Sequence, residues 1–157
     1  MEVSVAIRLA TSLMREHGLT EKGWRFQLDR AVRRFGCCMH YSKRISLSEP
    51  LTRLNCQSEV TNTILHEIAH ALVGPRHGHD AVWKAKCREI GARPERCYST
   101  KDVTAVPSKY IAKCICGKIH RRNKVPPKHI SYSCKCQTHL RGKDKFILFY
   151  ELNKAGI

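Results

Sequence analysis

Apolar residues near the start of the chain recur at the spacing of an amphipathic helix. Within Ser4–His17 these residues are Val5, Ile7, Leu9, Leu13 and Met14, with one of them off the common face. Gly18 follows at once, and a glycine in this place commonly ends a helix. The pattern therefore predicts a helix over Ser4–His17, which we expect to pack behind a central helix.

A shorter, alternating pattern then predicts a small β-sheet. Trp24–Leu28 reads as one strand, and Gly36–His40 and Lys43–Ser48 read as two more that are joined by a tight turn. Asp29–Phe35, which precedes this pair, predicts a short helix or a turn with exposed arginines. We expect the sheet to lie beside the central helix. Its open edge is either a plain scaffold edge or a place where an extended peptide adds as a strand.

The longest helical pattern lies in the middle of the chain, after a turn predicted at Glu49-Pro50-Leu51. It begins between Asn55 and Ser58, both good N-caps, and ends at Gly74-Pro75. Its buried face is predicted to carry Ile64, Leu65, Ile68, Ala69 and Leu72.

Another helix is predicted over Ala81–Ile90, with Asp80 as its N-cap and Gly91 after its end. Trp83 is expected to fill core rather than bind substrate. The segment Arg93–Val106 has no strong period and reads as a connection.

The central helix carries the sequence His66-Glu67-x-x-His70. Two histidines four residues apart lie on one side of a helix, one turn from each other, so both imidazoles can bind one metal ion. Glu67 can then reach a water on that metal and act as general base. Zinc suits this arrangement because it accepts neutral imidazole and lowers the pKa of a bound water. A catalytic zinc needs a third protein ligand, and His77 and His79 are both candidates.

Four cysteines near the C-terminus form two C-x-C pairs, Cys114/Cys116 and Cys134/Cys136. With a strand predicted into the first pair from Tyr110 and a closing strand at Phe146–Tyr150, they predict a small zinc ribbon. The pairs predict a structural zinc with four thiolate ligands, although His120 or His139 can replace a sulfur. The other five cysteines have no ligand spacing, so they are interpreted as small buried residues: Cys37, Cys38, Cys56, Cys87 and Cys97.

These elements predict an α+β chain in two domains. Residues 1–106 form a small metal-binding domain with helices on a short sheet, and residues 107–157 form the zinc ribbon. No apolar run approaches the roughly 18 residues that span a bilayer, and the N-terminus has no signal-peptide pattern. We therefore expect an intracellular, cytoplasmic protein without membrane contact.

The formal net charge of the chain is +16. From Pro107 onward there are 12 Lys and Arg against two acidic residues, which gives +10 for the last third. Such a concentration predicts nucleic acid as a partner, bound mainly through phosphates. The expected contacts are Arg121, Arg122, Lys124, Lys128, Lys135, Arg141 and Lys143, most of the early ones on a basic loop over Arg121–Lys128. Tyr132 or His129 can stack on bases.

Four features in this order resemble the SprT-like domain family of zinc metallopeptidases, which includes Spartan-type proteases that degrade proteins crosslinked to DNA. They are the run Arg34-Phe-Gly…Lys43-Arg-Ile-Ser-Leu-Ser48, the motif His66-Glu-Ile-Ala-His70, Gly78-His79-x-x-x-Trp83 and the basic paired-cysteine ribbon. The resemblance covers about Trp24 to Tyr150. It implies that His66, His70 and His79 bind zinc and that Glu67 is catalytic. Asp80 stands where relatives often have glycine.

The sequence as a whole predicts a zinc metalloendopeptidase that acts on DNA-bound or DNA-crosslinked proteins, in a minimal bacterial or viral form. We expect DNA binding that weakens with salt and prefers single-stranded or distorted DNA modestly. One alternative is a nucleic-acid-binding zinc protein whose histidine motif is structural or vestigial. Another is a zinc hydrolase that acts on something other than protein.

Overall fold

The computed structural model describes residues 1–96, 103–125, 127, 132–137, 140 and 146–154. The chain divides into two compact units, Met1–Val106 and Pro107–Ile157. Helices and a small sheet in the first unit and a cysteine cluster in the second confirm the predicted α+β class. No helix among the described residues is long and apolar enough to cross a membrane.

The first unit begins with helix α1 (Val3–Glu16), whose buried face contains Ala6, Ala10 and Met14. Three strands follow: β1 (Arg25–Asp29), β2 (Gly36–Met39) and β3 (Arg44–Ser48). They form one sheet in the order β1-β3-β2, with β1 parallel and β2 antiparallel to β3. Strand β2 is therefore an edge strand.

Two helices come next, and the first of them was not predicted. Helix α2 (Glu49–Leu54) occupies the predicted turn, because Pro50 lies in the first helical turn, where its missing N–H costs nothing. Ser48 caps this helix by accepting a hydrogen bond from the Leu51 N–H. Helix α3 (Gln57–Val73) is the predicted central helix, and its N-cap is Cys56 rather than Asn55 or Ser58.

The core of the first unit lies between α1, α3 and the sheet. It includes Leu19, Ile45, Leu47, Ile64 and Ile68, all of which are fully or almost fully buried. Helix α4 (Ala81–Glu89) packs on α3 through a second cluster. As predicted, Asp80 is the N-cap of α4 and accepts a hydrogen bond from the Trp83 N–H over 3.0 Å.

The segment between β1 and β2 is a series of bends, so the helical alternative for Asp29–Phe35 is wrong. Asp29 shapes these bends. One carboxylate oxygen accepts the Ala31 N–H, and the other accepts the Arg34 guanidinium and the Ser46 hydroxyl. Carboxylate bonds to nearby backbone favour a turn over a helix.

The second unit contains strands β4 (Tyr110–Lys113), β5 (Ile119–Arg122) and β6 (Glu151–Leu152) in the order β5-β4-β6, all antiparallel. Two predictions are corrected here. Arg121 and Arg122 belong to β5 rather than to a loop, and residues 146–150 are not a strand, because the pairing with β4 is made by Glu151 and Leu152. The small core consists of Ala112, Cys114, Cys134 and Leu148.

Candidate metal centre and active site

Three imidazoles meet in the first unit. His66 and His70 project from α3 one turn apart, and His79 approaches them from the residue before the N-cap of α4. The Nε2 atom of His79 lies 3.2 Å from the Nε2 atoms of both His66 and His70. The three residues form a group whose ligand atoms all lie within 4.8 Å of one another.

This triangle has the dimensions of a tetrahedral zinc site. Zn–N bonds of about 2.0–2.1 Å place two ligand nitrogens about 3.3–3.4 Å apart in a tetrahedron, close to the distances between these imidazoles. Burial lowers the pKa of His66 to about 3 and that of His70 to about 4, and the neighbouring imidazoles add to both shifts. Both rings are therefore neutral at pH 7, which is the form that binds a metal. The group can hold a metal ion, and zinc fits it.

Of the two candidates for the third position, the structure brings His79 into the group and not His77. The Nδ1 atom of His77 lies 2.9 Å from the Asp80 carboxylate instead. Asp80 thus contacts both His77 and the first turn of α4, on either side of His79. A carboxylate in this place fixes the loop that carries the third imidazole.

Trp83 packs against all three imidazoles. It is completely buried, as predicted for a core residue. Its ring stacks on His70 at a centroid distance of 5.1 Å and meets His66 and His79 edge to face at 4.7 and 4.6 Å. The sequence predicted the burial of Trp83 but not its contact with all three histidines.

Glu67 points from α3 into the same cleft and is 7% exposed. Burial raises the pKa of its carboxyl to about 8, while the nearby Arg34 and a backbone hydrogen bond from Cys38 act in the opposite direction. Arg34 is held by its ion pair with Asp29, at 2.8 Å. A buried carboxyl with a pKa near neutrality can accept a proton and release it again.

A close approach between α3 and β2 fixes the position of Glu67. A Cβ atom on Gly36 would lie 2.6 Å from Glu67 Oε1, 2.7 Å from Glu67 Cγ and 2.9 Å from Thr63 Cγ2. Real Cβ atoms do not approach other atoms so closely, so only glycine fits at this place. Gly36 lies in one of the segments on which the family resemblance rests, but no pattern in the sequence indicates that Gly36 faces Glu67.

The imidazoles and Glu67 line an open cleft of about 720 Å³. Strand β2, the bends before it and the turn after it supply one wall, which includes Arg34, Gly36, Cys38 and His40. His40 lies 3.7 Å from the Cys38 sulfur and edge to face with Trp24. Burial raises the pKa of Cys38 to about 12, with smaller contributions from Glu67 and Cys37, so this thiol stays protonated.

The four predicted ligand cysteines of the second unit come together. Cys114 and Cys136 have their sulfurs 3.6 Å apart, those of Cys116 and Cys134 are 3.9 Å apart, and all four lie within 4.8 Å. Tetrahedral Zn–S bonds of about 2.3 Å place sulfurs about 3.8 Å apart, so zinc fits this group as well. His120 is not a member of the group, and His139 lies outside the described residues.

The five remaining cysteines are not all buried. Cys87 is, and Cys37 and Cys38 are partly so, but Cys56 is exposed at the start of α3, which corrects that prediction. Cys97 lies outside the described residues.

Basic and aromatic side chains share a second, shallower pocket of about 390 Å³ in the ribbon unit. Three of the predicted DNA contacts line it: Arg121, Arg122 and Lys135. The Arg122 guanidinium lies over the Tyr132 ring at 4.1 Å, and Tyr150 also lines the pocket. Lys124 is exposed, whereas Lys128, Arg141, Lys143 and His129 fall outside the part of the chain that the structure describes.

Comparison with known protein families gives a match for the first unit of this chain. The model of the SprT-like family matches residues 5–103, which is nearly the whole of the first unit and more than half of the chain. No curated protein and no solved structure matches the chain.

Proposed function

Because this chain belongs to the SprT-like family and so contains a metallopeptidase-type domain, we propose that it is a zinc-dependent endopeptidase. The observation that carries the proposal is that three imidazoles at tetrahedral spacing share a cleft with the buried carboxyl of Glu67, which comes from the same helix as His66 and His70. His66, His70 and His79 hold the metal, and Glu67 is the general base.

Zinc, when bound there, supplies a Lewis acid that lowers the pKa of a water and polarises a carbonyl, and its charge favours ionised Glu67. Glu67 accepts the proton of the attacking water and then donates it to the leaving amine. The contact with Gly36 and the Cys38 N–H orients its carboxylate for both transfers.

The free edge of β2 is the proposed place for the substrate backbone. The Phe35 carbonyl accepts a hydrogen bond from the Ser48 N–H, and this bond determines which residues of β2 form backbone hydrogen bonds with β3. With this pairing the main-chain groups of Gly36 and Cys38 face away from β3 and toward the free edge. The Cys38 N–H already donates to Glu67, so the Gly36 groups and the Cys38 carbonyl are the ones that a peptide can pair with. An extended peptide that pairs with this edge lies along the cleft beside Glu67, and it is aligned without a sequence requirement.

We propose further that the substrates are proteins bound or crosslinked to DNA. Support comes from the +10 charge of the last third of the chain and from the pocket in which Arg122 lies over Tyr132. Cations bind phosphates, and aromatic rings beside them stack on unpaired bases. Single-stranded DNA is therefore the expected partner of the ribbon.

The test is cleavage of a DNA-binding protein by the full chain and by Glu67→Gln, each with and without single-stranded DNA. We expect cleavage by the wild type alone, and faster cleavage when DNA is present. Wild-type cleavage that DNA does not accelerate would refute the DNA-linked substrate class. No cleavage in any lane, with two zinc ions bound per chain, would favour the nucleic-acid-binding alternative.

A further inference from the structure

Four exposed cations lie together at the hairpin end of the three-stranded sheet, in the metal-binding unit rather than in the ribbon. They are Lys22, Arg25, Lys43 and Arg44. The Arg25 N–H donates to the Lys43 carbonyl, and the Lys43 ammonium donates to the Lys22 carbonyl, both over 2.9 Å. Arg25 and Arg44 are direct partners in the parallel pairing of β1 with β3.

Glu21, which precedes Lys22, is the nearest acidic residue in the sequence, and it leaves this group of four cations with an excess of three positive charges. Neither Lys22–Leu28 nor Gly36–Ser48 contains an aspartate or glutamate. Within the described part of the chain, none of the four cations forms an ion pair. Like charges on directly paired residues destabilise a sheet. A bound polyanion removes that repulsion.

An aromatic ring stands beside these cations. Tyr41, at the tip of the β2–β3 hairpin, has a relative exposure of 105%, so the whole side chain is open to solvent. The left-handed conformation of Lys43, with φ of 47°, closes the turn that presents this ring. Cations around an open aromatic ring suit a single strand of nucleic acid, whose phosphates and unpaired bases bind these two groups respectively.

We propose that Lys22, Arg25, Tyr41, Lys43 and Arg44 form a second binding surface for single-stranded nucleic acid, here named the hairpin surface. The four cations bind backbone phosphates, and Tyr41 stacks on a base. This surface belongs to the metal-binding unit itself, so it contributes affinity in addition to that of the ribbon.

The hairpin surface is connected directly to the cleft. Tyr41 follows His40, which lines the cleft, and His40 contacts Trp24 at a ring distance of 5.6 Å. Trp24 in turn lies between Lys22 and Arg25 in the sequence. A single strand of nucleic acid bound to this surface therefore passes the end of the cleft and presents an attached protein to Glu67. This consequence rests on the proposed function.

The first experiment measures how the affinity of the full zinc-loaded chain for a fluorescent oligothymidine depends on salt. The test variant carries Lys22→Gln, Arg25→Gln and Arg44→Gln. The control carries Arg8→Gln, Lys84→Gln and Arg88→Gln, which remove three exposed cations from α1 and α4 of the same unit. Loss of three phosphate contacts lowers the slope of log affinity against log salt by about 2. Equal slopes in the two variants would overturn the proposal.

The second experiment isolates the aromatic contact. Tyr41→Ser is expected to weaken oligothymidine binding about fivefold or more, whereas Tyr41→Phe retains the affinity. Polyglutamate of equal charge is expected to compete poorly with the oligonucleotide. Equal competition would mean that the surface binds acidic polymers in general, and no effect of Tyr41→Ser would refute the stacking contact.

These outcomes separate the two proposals. Cleavage of an unstructured protein without DNA is expected to be unchanged in every variant, because none of these residues contacts the metal ligands or Glu67. If the wild type binds DNA but the test and control variants behave alike, the hairpin surface is wrong and the proposed function stands. If the wild type does not bind DNA at all, both the surface and the DNA-linked substrate class are wrong.

Discussion

At the scale of single residues, the proposed site depends on how closely one carboxylate approaches one glycine. The side chain of Glu67 extends from α3 toward β2 and is buried there, and the absence of a side chain on Gly36 leaves room for it. The Cys38 N–H and the Arg34 guanidinium stabilise its ionised form. The proposed general base is therefore positioned by the sheet as much as by its own helix.

Gly36→Ala is expected to reduce kcat/KM by about 100-fold while leaving zinc bound. A methyl group at this place must push the Glu67 carboxylate aside, and displacement of a catalytic group by about 1 Å costs this much. Gly78→Ala is the control, since a Cβ atom there meets nothing within 4 Å and the backbone is ordinary. Unchanged turnover in Gly36→Ala, measured on an unstructured protein, would contradict this account of Glu67.

The loop that carries His79 leads to a second residue-scale prediction. Asp80→Ala removes both the cap of α4 and the contact with His77, so we expect weaker zinc binding by about tenfold or more and a lower melting temperature. Asp80→Asn keeps an oxygen for the cap and is expected to lose less of both. Competition with a chelating dye measures the affinity. Equal zinc affinity in all three proteins would show that Asp80 does not orient His79.

At the scale of secondary-structure elements, the segments with a clear apolar period lie where the sequence predicted them, whereas the segments without one do not. Helices α1, α3 and α4 and the β2–β3 hairpin lie within a residue or two of their predicted places, because each has a clear apolar period. Helix α2 was missed because Pro50 signals a turn and a first helical turn equally well. The apolar run 146–150 was mistaken for a strand because pairing depends on a partner that sequence does not show.

The residues of the candidate site also differ in how far the sequence alone predicts them. The spacing of His66, Glu67 and His70 predicts their common face, since helical geometry alone determines it. The choice of His79 over His77 came from the family resemblance, and the loop conformation set by Asp80 gives its physical reason. The roles of Gly36 and Trp83 are tertiary contacts, which no local pattern contains.

Burial of the two helix histidines on α3 predicts acid sensitivity of the metal-free chain. The pKa values of His66 and His70 fall from 6.5 to about 3 and about 4 on folding, so the unfolded chain binds more protons below pH 6.5. The contribution of these two histidines to stability is therefore fully present above pH 6.5 and falls as the pH drops toward 4. Urea unfolding of the chelated protein measures it, with His66→Asn/His70→Asn as the control. The control is expected to lose less stability over this range.

At the scale of the whole molecule, the two units differ in what stabilises them. The first has a continuous apolar core, whereas the described core of the second consists of four small or medium residues, two of them cysteines. A unit with so little core depends on its metal. The Lys118 backbone N–H lowers the pKa of Cys116 to about 7, whereas hydrogen bonding with Cys134 raises that of Cys136 to about 12. Cys116 is therefore the thiol of this pair that ionises first.

Removal of zinc is therefore expected to unfold the ribbon unit while the first unit stays folded. Hydrogen exchange in β4 should become fast after chelation, and exchange in α1 should remain slow. Cys136→Ser is expected to give the same result without a chelator, and Cys56→Ser, which changes an exposed cysteine outside the group, is the control. Continued protection of β4 without zinc would show that the apolar core alone is sufficient.

The role of Glu67 beside a bound zinc can be tested by cleavage of an unstructured protein by wild type and Glu67→Gln, with the zinc content of both measured in the same samples. We expect two zinc ions per chain in both proteins and activity in the wild type alone, because the proposed role of Glu67 is to move protons and not to hold the metal. Equal cleavage by Glu67→Gln with its zinc in place would contradict the role of Glu67, and with it the proposed mechanism.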